Sequence, residues 1–389
     1  MSKFISRVLN LAEITAKKSV FLFGPRQTGK SSLIRETLPK GTPIINLLNP
    51  GTRQKYLIAP SLLIEELAAA EISSGLVVID EVQRVPELLD VVHLLIEERG
   101  LRFLLTGSSA RKLRRAGVNL LGGRARTRNL HPFVYPELKG ENFNIWRALS
   151  FGMIPSIVTS DNPSDDLANY IGTYLEQEIA TEALVRNIPA FSRFFEIAGI
   201  ESGNIINQTK ISSDAAVKRT TVQEYISILK ETFIASDLPV WKKGRKAKTV
   251  ETSKLYLFDL GVVRALRLQK KEIDQNSADV GYMFEHFIHQ EIRAWIDYRS
   301  PLTPLAYWRT ADGRFEVDFI VGDKLAIEVK ASKRVNSTDL RGLKAIANEA
   351  PFKFRIVVCF ETTSRIVDGV LIMPWFEFLD KLWADNFMD

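Results

Sequence analysis

The sequence contains one cysteine, Cys359, among 389 residues. A single thiol excludes an internal disulfide framework and fits a reducing compartment. Histidine is almost as scarce, with four residues: His93, His131, His286 and His289. That leaves no cluster of soft ligands for zinc, and His286 and His289 read as surface or network side chains. No apolar run approaches the ~20 residues needed to span a bilayer. The stretch MSKFISRVLNLAEI lacks the apolar core and small-residue cleavage site of a secretory signal. The expectation is therefore a cytoplasmic protein with no membrane partner. Internal repeats and low-complexity linkers are also missing. Neither sign of charge dominates: 52 Lys and Arg face 46 Asp and Glu, a net charge of +6 with a pI near 9.2. This is only a mild lean toward polyanionic partners.

What is present is an ordinary globular composition, 46% hydrophobic and 25% charged, at a length that suggests two or three domains. Up to about residue 140, apolar runs alternate with helical patterns: SVFLF, SSLIRETL, TPIINLL, GLVVID, PELLDVVHLLIEERG and LRFLLTG. Nearly continuous apolar strands separated by helices predict a buried parallel sheet, and Gly100 is placed to close the helix before LRFLL. From about 141 to 250 the pattern turns helical. It ends in two short helices around Lys218–Thr220, the second starting after Thr220 or Thr221 as N-cap. A strand, a charged turn and a returning strand follow. From 278 onward a helix, GYMFEHFIHQEIRAWI, precedes two strands, FEVDFIV and KLAIEVKA. The expected domains are 1–140, 141–255 and 256–389.

The segment GPRQTGKSS, Gly24 to Ser32, follows one of the apolar strands and opens a helix. Its glycines let backbone N–H groups curl around a phosphate, and the helix N-terminus adds positive potential. Gly24, Pro25, Arg26, Gln27, Thr28, Gly29, Lys30, Ser31 and Ser32 are thus the expected ATP-binding loop. Lys30 is expected to reach the β- and γ-phosphates and Ser31 to ligate Mg²⁺. GLVVID delivers Asp80 and Glu81 at a strand end, Asp80 for Mg²⁺ and Glu81 to polarise the attacking water. LRFLLTG ends in Thr106, Gly107, Ser108 and Ser109; Thr106 and Ser108 are suited to the γ-phosphate or the water. Arg124 and Arg126, in LGGRARTRNL, are candidates for an arginine finger, which in trans would require a homo-oligomer.

With LFGPRQTGKSSLI, VVIDEVQRVPEL, FLLTGSSARKL and LGGRA, the chain resembles a large group of prokaryotic AAA-type ATPases joined to a C-terminal domain of unknown function. The resemblance continues through YLEQEI and YMFEHFIHQEI to GRFEVDFIV and LAIEVKAS. It implies ATP binding. This chain departs from many AAA proteins in carrying Ser and Thr where the first sensor is Asn. VDFI and IEVK in turn resemble the core of a PD-(D/E)xK nuclease fold, although Val317 stands where that pattern has proline. On that resemblance Asp318 and Glu328 match metal-binding positions and Lys330 a water-activating one, with Glu285 on the preceding helix.

Independently of the resemblance, Glu285 has Ile288, Ile292 and Ile296 along its own helical face. A carboxylate there needs a partner, a metal or Lys330. A two-residue turn at Gly322–Asp323 would put Asp318 and Glu328 on opposite faces. A three-residue connection or a bulge would bring them together. The helix pair and the basic stretch WKKGRKAK suggest a winged helix in which Lys242, Lys243, Arg245, Lys246 and Lys248, beside Trp241, grip DNA phosphates; Lys218 and Arg219 lie near the recognition helix. The whole reads as an α/β AAA-type P-loop ATPase, then a winged helix, then a PD-(D/E)xK-like domain. Its functional expectation is ATP hydrolysis with Mg²⁺ coupled to DNA binding or processing. The alternatives are an ATP-dependent protein-interaction switch with an inactive nuclease-like domain, and a nucleotide-sensing transcriptional regulator.

Overall fold

A computed structural model describes residues 4–111, 113, 121–141, 143–174, 179, 185–241 and 253–387. The chain divides into two compact units, Met1–Pro132 with Ser227–Ile234, and Phe133–Ile226 with Ala235–Asp389. Most of the expected middle domain and all of the expected C-terminal domain thus fall in one compact unit, while Ser227–Ile234 falls in the other.

The first unit is built on five strands: β1 (Ser19–Phe23), β2 (Ile44–Asn46), β3 (Leu76–Asp80), β4 (Arg102–Gly107) and β5 (Ala125–Asn129). Their spatial order is β2-β3-β4-β1-β5, and every neighbouring pair is parallel. The apolar runs become the central strands because a parallel sheet covered on both faces needs apolar residues on both. Alternation sends Phe21, Phe23, Val77, Ile79, Phe103 and Leu105 into a core shared with Leu88, Leu89, Val92 and Leu95 of the helix Leu88–Arg99. That helix closes at Gly100, as expected. β5, with the sequence ARTRN, has half-buried and exposed positions at the sheet edge. Segment Ser227–Ile234 belongs to this unit through Phe233, stacked on Phe23 at 5.3 Å, and through an ion pair between Arg111 and Glu231.

In the second unit, helix Ile188–Ile200 meets the part of helix Arg219–Glu231 that precedes Ser227 through Phe191 and Phe194, which pack on Tyr225. The latter helix begins at Arg219, slightly before the expected cap at Thr220 or Thr221. A two-stranded antiparallel hairpin follows, β6 (Ala235–Leu238) with β7 (Lys254–Leu257). The basic residues Lys242, Lys243, Arg245, Lys246 and Lys248 lie outside the described residues.

Helix Asp279–Arg299 then leads into a six-stranded sheet of β8 (Leu305–Arg309), β9 (Glu316–Val321), β10 (Leu325–Lys330), β11 (Phe354–Cys359), β12 (Arg365–Val367) and β13 (Val370–Pro374). The order is β12-β13-β11-β10-β9-β8, with β10, β11 and β13 parallel and the rest antiparallel. Val321 opposes Leu325, so Gly322–Lys324 is a three-residue connection and the register carries Glu328 opposite Asp318. Cys359 ends β11, fully buried, its thiol directed at the Met373 carbonyl oxygen. Among the described residues no helix is long and apolar enough to cross a membrane.

Candidate functional site

The loop Gly24–Ser32 leaves the C-terminal end of β1 and opens the helix Lys30–Thr37. Gly24 has φ +152°, and a Cβ there would lie 2.4 Å from the Leu130 carbonyl oxygen. Leu130 N–H donates to the Phe23 oxygen at 2.7 Å, so the chain after β5 runs directly against the loop. Lys30 is buried and donates to the carbonyl oxygens of Gly24 (2.7 Å) and Pro25 (2.8 Å). Thr28 Oγ1 donates to Pro25 O at 2.9 Å. Arg7, which the sequence did not mark, holds the loop from outside. It donates to Thr28 O at 2.8 Å and to the carbonyls of His131 (2.6 Å) and Pro132 (3.1 Å).

β3 and β4 bring their ends to this loop because Leu22 pairs with Thr106, and Ile79 with Leu105. Ser31 Oγ donates to Asp80 Oδ2 at 3.0 Å, and Thr106 Oγ1 donates to Asp80 Oδ1. Glu81 takes a left-handed backbone (φ 63°) and donates its N–H to Thr106 Oγ1 at 3.1 Å. Its carboxylate accepts from Gln83 Nε2 at 2.6 Å, and the same amide reaches Ser108 Oγ at 3.3 Å. Gln83 is thus a second side chain missed in the sequence, and its space depends on Gly107. A Cβ at Gly107 would lie 2.6 Å from Gln83 Oε1. Loop, Asp80, Glu81, Thr106 and Ser108 are gathered at one end of the sheet. Arg124 is not: Ala125 pairs with Ser19, at the start of β1, and Arg124 forms an ion pair with Glu97. Hard oxygen donors from Ser31 and Asp80, already in contact, fit a magnesium ion.

The second cluster lies in the C-terminal sheet. Asp318 Oδ2 accepts from Val329 N–H at 2.7 Å, and Lys330 Nζ donates to Glu328 Oε1 at 2.6 Å. Burial pushes Asp318 well above the usual carboxylate range, and the charges of Glu328 and Glu285 add to it. Burial likewise raises Glu328, to about 7, against the pull of Lys330. Burial works against the Lys330 ammonium, but Glu328 and Asp318 outweigh it and raise its pKa to about 12. Glu285 has another partner than those expected. Lys254, at the start of β7, lies 3.3 Å from Glu285 and 2.7 Å from Glu316, and Tyr256 Oη donates to Glu285 at 2.7 Å. Burial disfavours the Lys254 charge, yet Glu285, Asp318 and Glu316 together hold it above the ordinary lysine range.

Lys254 and Tyr256 stand two apart on one strand, so they share a face. That spacing in SKLYLFD was the available signal. His286 and His289 are buried rather than superficial; both rings pack on Tyr256, His289 stacked at 3.8 Å. Glu328 Oε2 is buried without a partner, which suits a hard cation. Among the described residues no group of three or more His, Cys, Asp or Glu is arranged to hold a metal ion.

An all-parallel five-stranded sheet with a glycine-rich loop between strand and helix is the fold of a P-loop nucleotide-binding domain. Residues 16–139 match the AAA domain family, so this region is an AAA-type P-loop domain, with the ATP binding that class implies. Residues 142–273 match a domain of unknown function (DUF8612), and residues 280–378 another (DUF4143). Two proteins described as uncharacterized, from Mycobacterium bovis and Mycobacterium tuberculosis, are each 26% identical over 324 residues, covering 80% of this chain and 70% of theirs. A solved structure described as the Aeropyrum pernix ORC1 protein in complex with DNA covers 66% of this chain and 90% of its own. Its TM-score of 0.27 and identity of 16% are too low for the likeness to bear on this chain.

Proposed function

We propose that the chain is a Mg²⁺-dependent ATPase whose nucleotide cycle is coupled to DNA held by its C-terminal half. The observation that carries the ATPase reading is the contact of Ser31 with Asp80, 3.0 Å apart at the mouth of the loop, with Glu81 next in the chain. In this reading the backbone N–H groups of Gly24–Ser32 cradle the phosphates, and Lys30 exchanges the loop carbonyls for β- and γ-phosphate oxygens. Ser31 and Asp80 hold Mg²⁺, which when bound offsets the negative charge of the transferring phosphoryl. Glu81 orients and polarises the attacking water, released from Gln83 or acting from that contact. Thr106 and Ser108 face the γ-phosphate. Arg124, at the far end of β1, serves as a finger only toward another copy of the chain, which makes the active species a homo-oligomer.

The DNA reading rests on sequence order and charge. The helices Gln208–Asp214 and Arg219–Glu231 precede the β6–β7 hairpin, the order of a winged helix, and the five basic residues of the expected wing fall between its strands. The functional division is then 1–140 for the ATPase, 141–255 for the winged helix and 256–389 for the nuclease-like domain, with Glu285, Asp318, Glu328 and Lys330 as its site.

The test is the steady-state ATPase rate at low salt, with and without duplex DNA, against a Lys30→Ala control. Stimulation of several-fold is expected. A rate abolished by Lys30→Ala but indifferent to DNA would overturn the coupling and leave the ATPase. A second reading, the protein-interaction switch with an inactive nuclease-like domain, is favoured by the ties of Glu285 to Lys254 and Tyr256. It predicts no strand cleavage, whereas cleavage lost in Asp318→Ala and Lys330→Ala would exclude it.

A further inference from the structure

Four carboxylates, Glu285, Glu316, Asp318 and Glu328, and two ammonium groups, Lys254 and Lys330, make up the C-terminal cluster, and the more exposed Arg309 lies at its rim, 3.8 Å from Glu316. If all are charged, the lysines offset two of the four negative charges, and Arg309 offsets part of a third from solvent. The offset is not uniform. Lys254 is 5% exposed, and it spans Glu285 at 3.3 Å and Glu316 at 2.7 Å, with the Tyr307 ring 5.2 Å from its ammonium. Tyr256 Oη fixes Glu285 from the same strand at 2.7 Å. These contacts commit Glu285 to the lysine. At the other end, Lys330 takes only Oε1 of Glu328. Oε2 of that carboxylate is buried with no partner, on a residue 8% exposed. A buried carboxylate oxygen without a donor is costly, and its neighbour across the strand pair is Asp318.

We propose that Lys254 is a built-in cation of this site: its one charge is shared by Glu285 and Glu316, so that the cluster accepts one divalent ion, at Asp318 and Glu328, and not two. The inference rests on the cation-binding reading of the C-terminal cluster. Lys254 is a positioning residue here. It reaches the site from β7, outside the six-stranded sheet that carries Asp318 and Glu328, and it does by a covalently attached charge what a second ion would do at Glu285. Two divalent ions beside two lysines would leave a surplus of at least two positive charges in a largely buried cluster, before Arg309 is counted, which is unfavourable for the reason that makes uncompensated negatives unfavourable.

The probe is Mn²⁺ alone, titrated into the full chain without nucleotide and read by the electron paramagnetic resonance signal of the free ion. Ions lost in Asp318→Asn define those at the C-terminal site. The wild type is expected to hold one Mn²⁺ there and Lys254→Met two, or one bound at least tenfold more tightly. Lys254→Arg, which keeps the charge, is expected to hold one. Glu316→Gln supplies a variant that leaves the Lys254 side chain intact, and by removing one offsetting charge it should weaken Mn²⁺ several-fold. Unchanged stoichiometry and affinity in Lys254→Met and Glu316→Gln, with binding still lost in Asp318→Asn, would overturn the role of Lys254 and leave the cation site standing. Two ions in the wild type would overturn it as well. If Asp318→Asn changed nothing, the cation reading itself would fail and the inference with it.

Discussion

The nucleotide loop and the C-terminal carboxylate cluster solve opposite electrostatic problems. At the loop, the charged groups are held by short-range hydrogen bonds to neutral partners: Lys30 by two loop carbonyls, Asp80 by Ser31 and Thr106, Glu81 by Gln83. In the cluster, carboxylates are crowded in a buried place, and direct ion pairs with Lys254 and Lys330 offset only part of their charge. A site of the first kind is changed by supplying a ligand. A site of the second kind is held away from its most stable state by its own charges, as functional sites often are. Removing a charged side chain should therefore cost activity at the loop, whereas removing a carboxylate charge should gain stability at the cluster.

The largest effect is expected at Lys30. Lys30→Ala should lower ATP turnover by about 10³-fold, since a positioned charge on the transferring phosphoryl is lost, while the thermal midpoint moves little. A variant that loses turnover only by unfolding would break the contrast. Next is Glu291, which shares a helix with Glu285 but has only neutral donors, Tyr135 N–H and Trp383 Nε1, each at 2.8 Å. Burial pushes it up to about 8 from an ordinary 4.5. Between those values the folded chain binds the extra proton, so its contribution to stability is full below pH 4.5 and lost as pH rises toward 8. Glu291→Gln does not titrate. Its stability relative to wild type should improve by roughly 3 kcal/mol from pH 5 to pH 8.5 in urea unfolding.

Gly24→Ala should cost about 2 kcal/mol, read by the same method, because a Cβ cannot sit 2.4 Å from Leu130 O. Asp318→Asn should do the reverse. The amide oxygen still accepts from Val329 N–H while the buried charge is removed, so a gain of about 1 kcal/mol at pH 8 is expected without divalent ions. A loss would mean that Asp318 is stabilised by its lysines beyond the cost of burial. The smallest effect is at Arg124, half exposed and paired with Glu97. Arg124→Ala should leave stability nearly unchanged, and a recovery of turnover on mixing its subunits with Lys30→Ala subunits would place it at a neighbour's phosphates.

The apolar strands of the first unit were legible because a doubly covered parallel sheet writes itself as continuous apolar runs. β5 was not: ARTRN is an edge strand, recruited by the backbone of β1 rather than by burial of its side chains. The loop, Asp80 and Glu81 were found because they occupy successive strand ends in short motifs. Arg7, far from the loop in sequence, carries no local mark. In the C-terminal sheet, VDFI and IEVK stood out, yet β8, β11, β12 and β13 did not, and the three-residue connection that aligns Asp318 with Glu328 was one of two open choices. Lys254 was hidden for a physical reason. In isolation a lysine opening a strand reads as solvated, and only the packing of β7 against Glu285 and Glu316 turns it inward.

Cys359, the single cysteine, is buried at the end of β11, and burial pushes its thiol up to about 11. At neutral pH it is a protonated, enclosed thiol and a poor target for alkylating dyes. The natural chain is thus nearly silent to thiol labelling. One cysteine placed on each compact unit would take a donor and an acceptor fluorophore without further engineering, and the distance between them could be followed through a single round of nucleotide turnover.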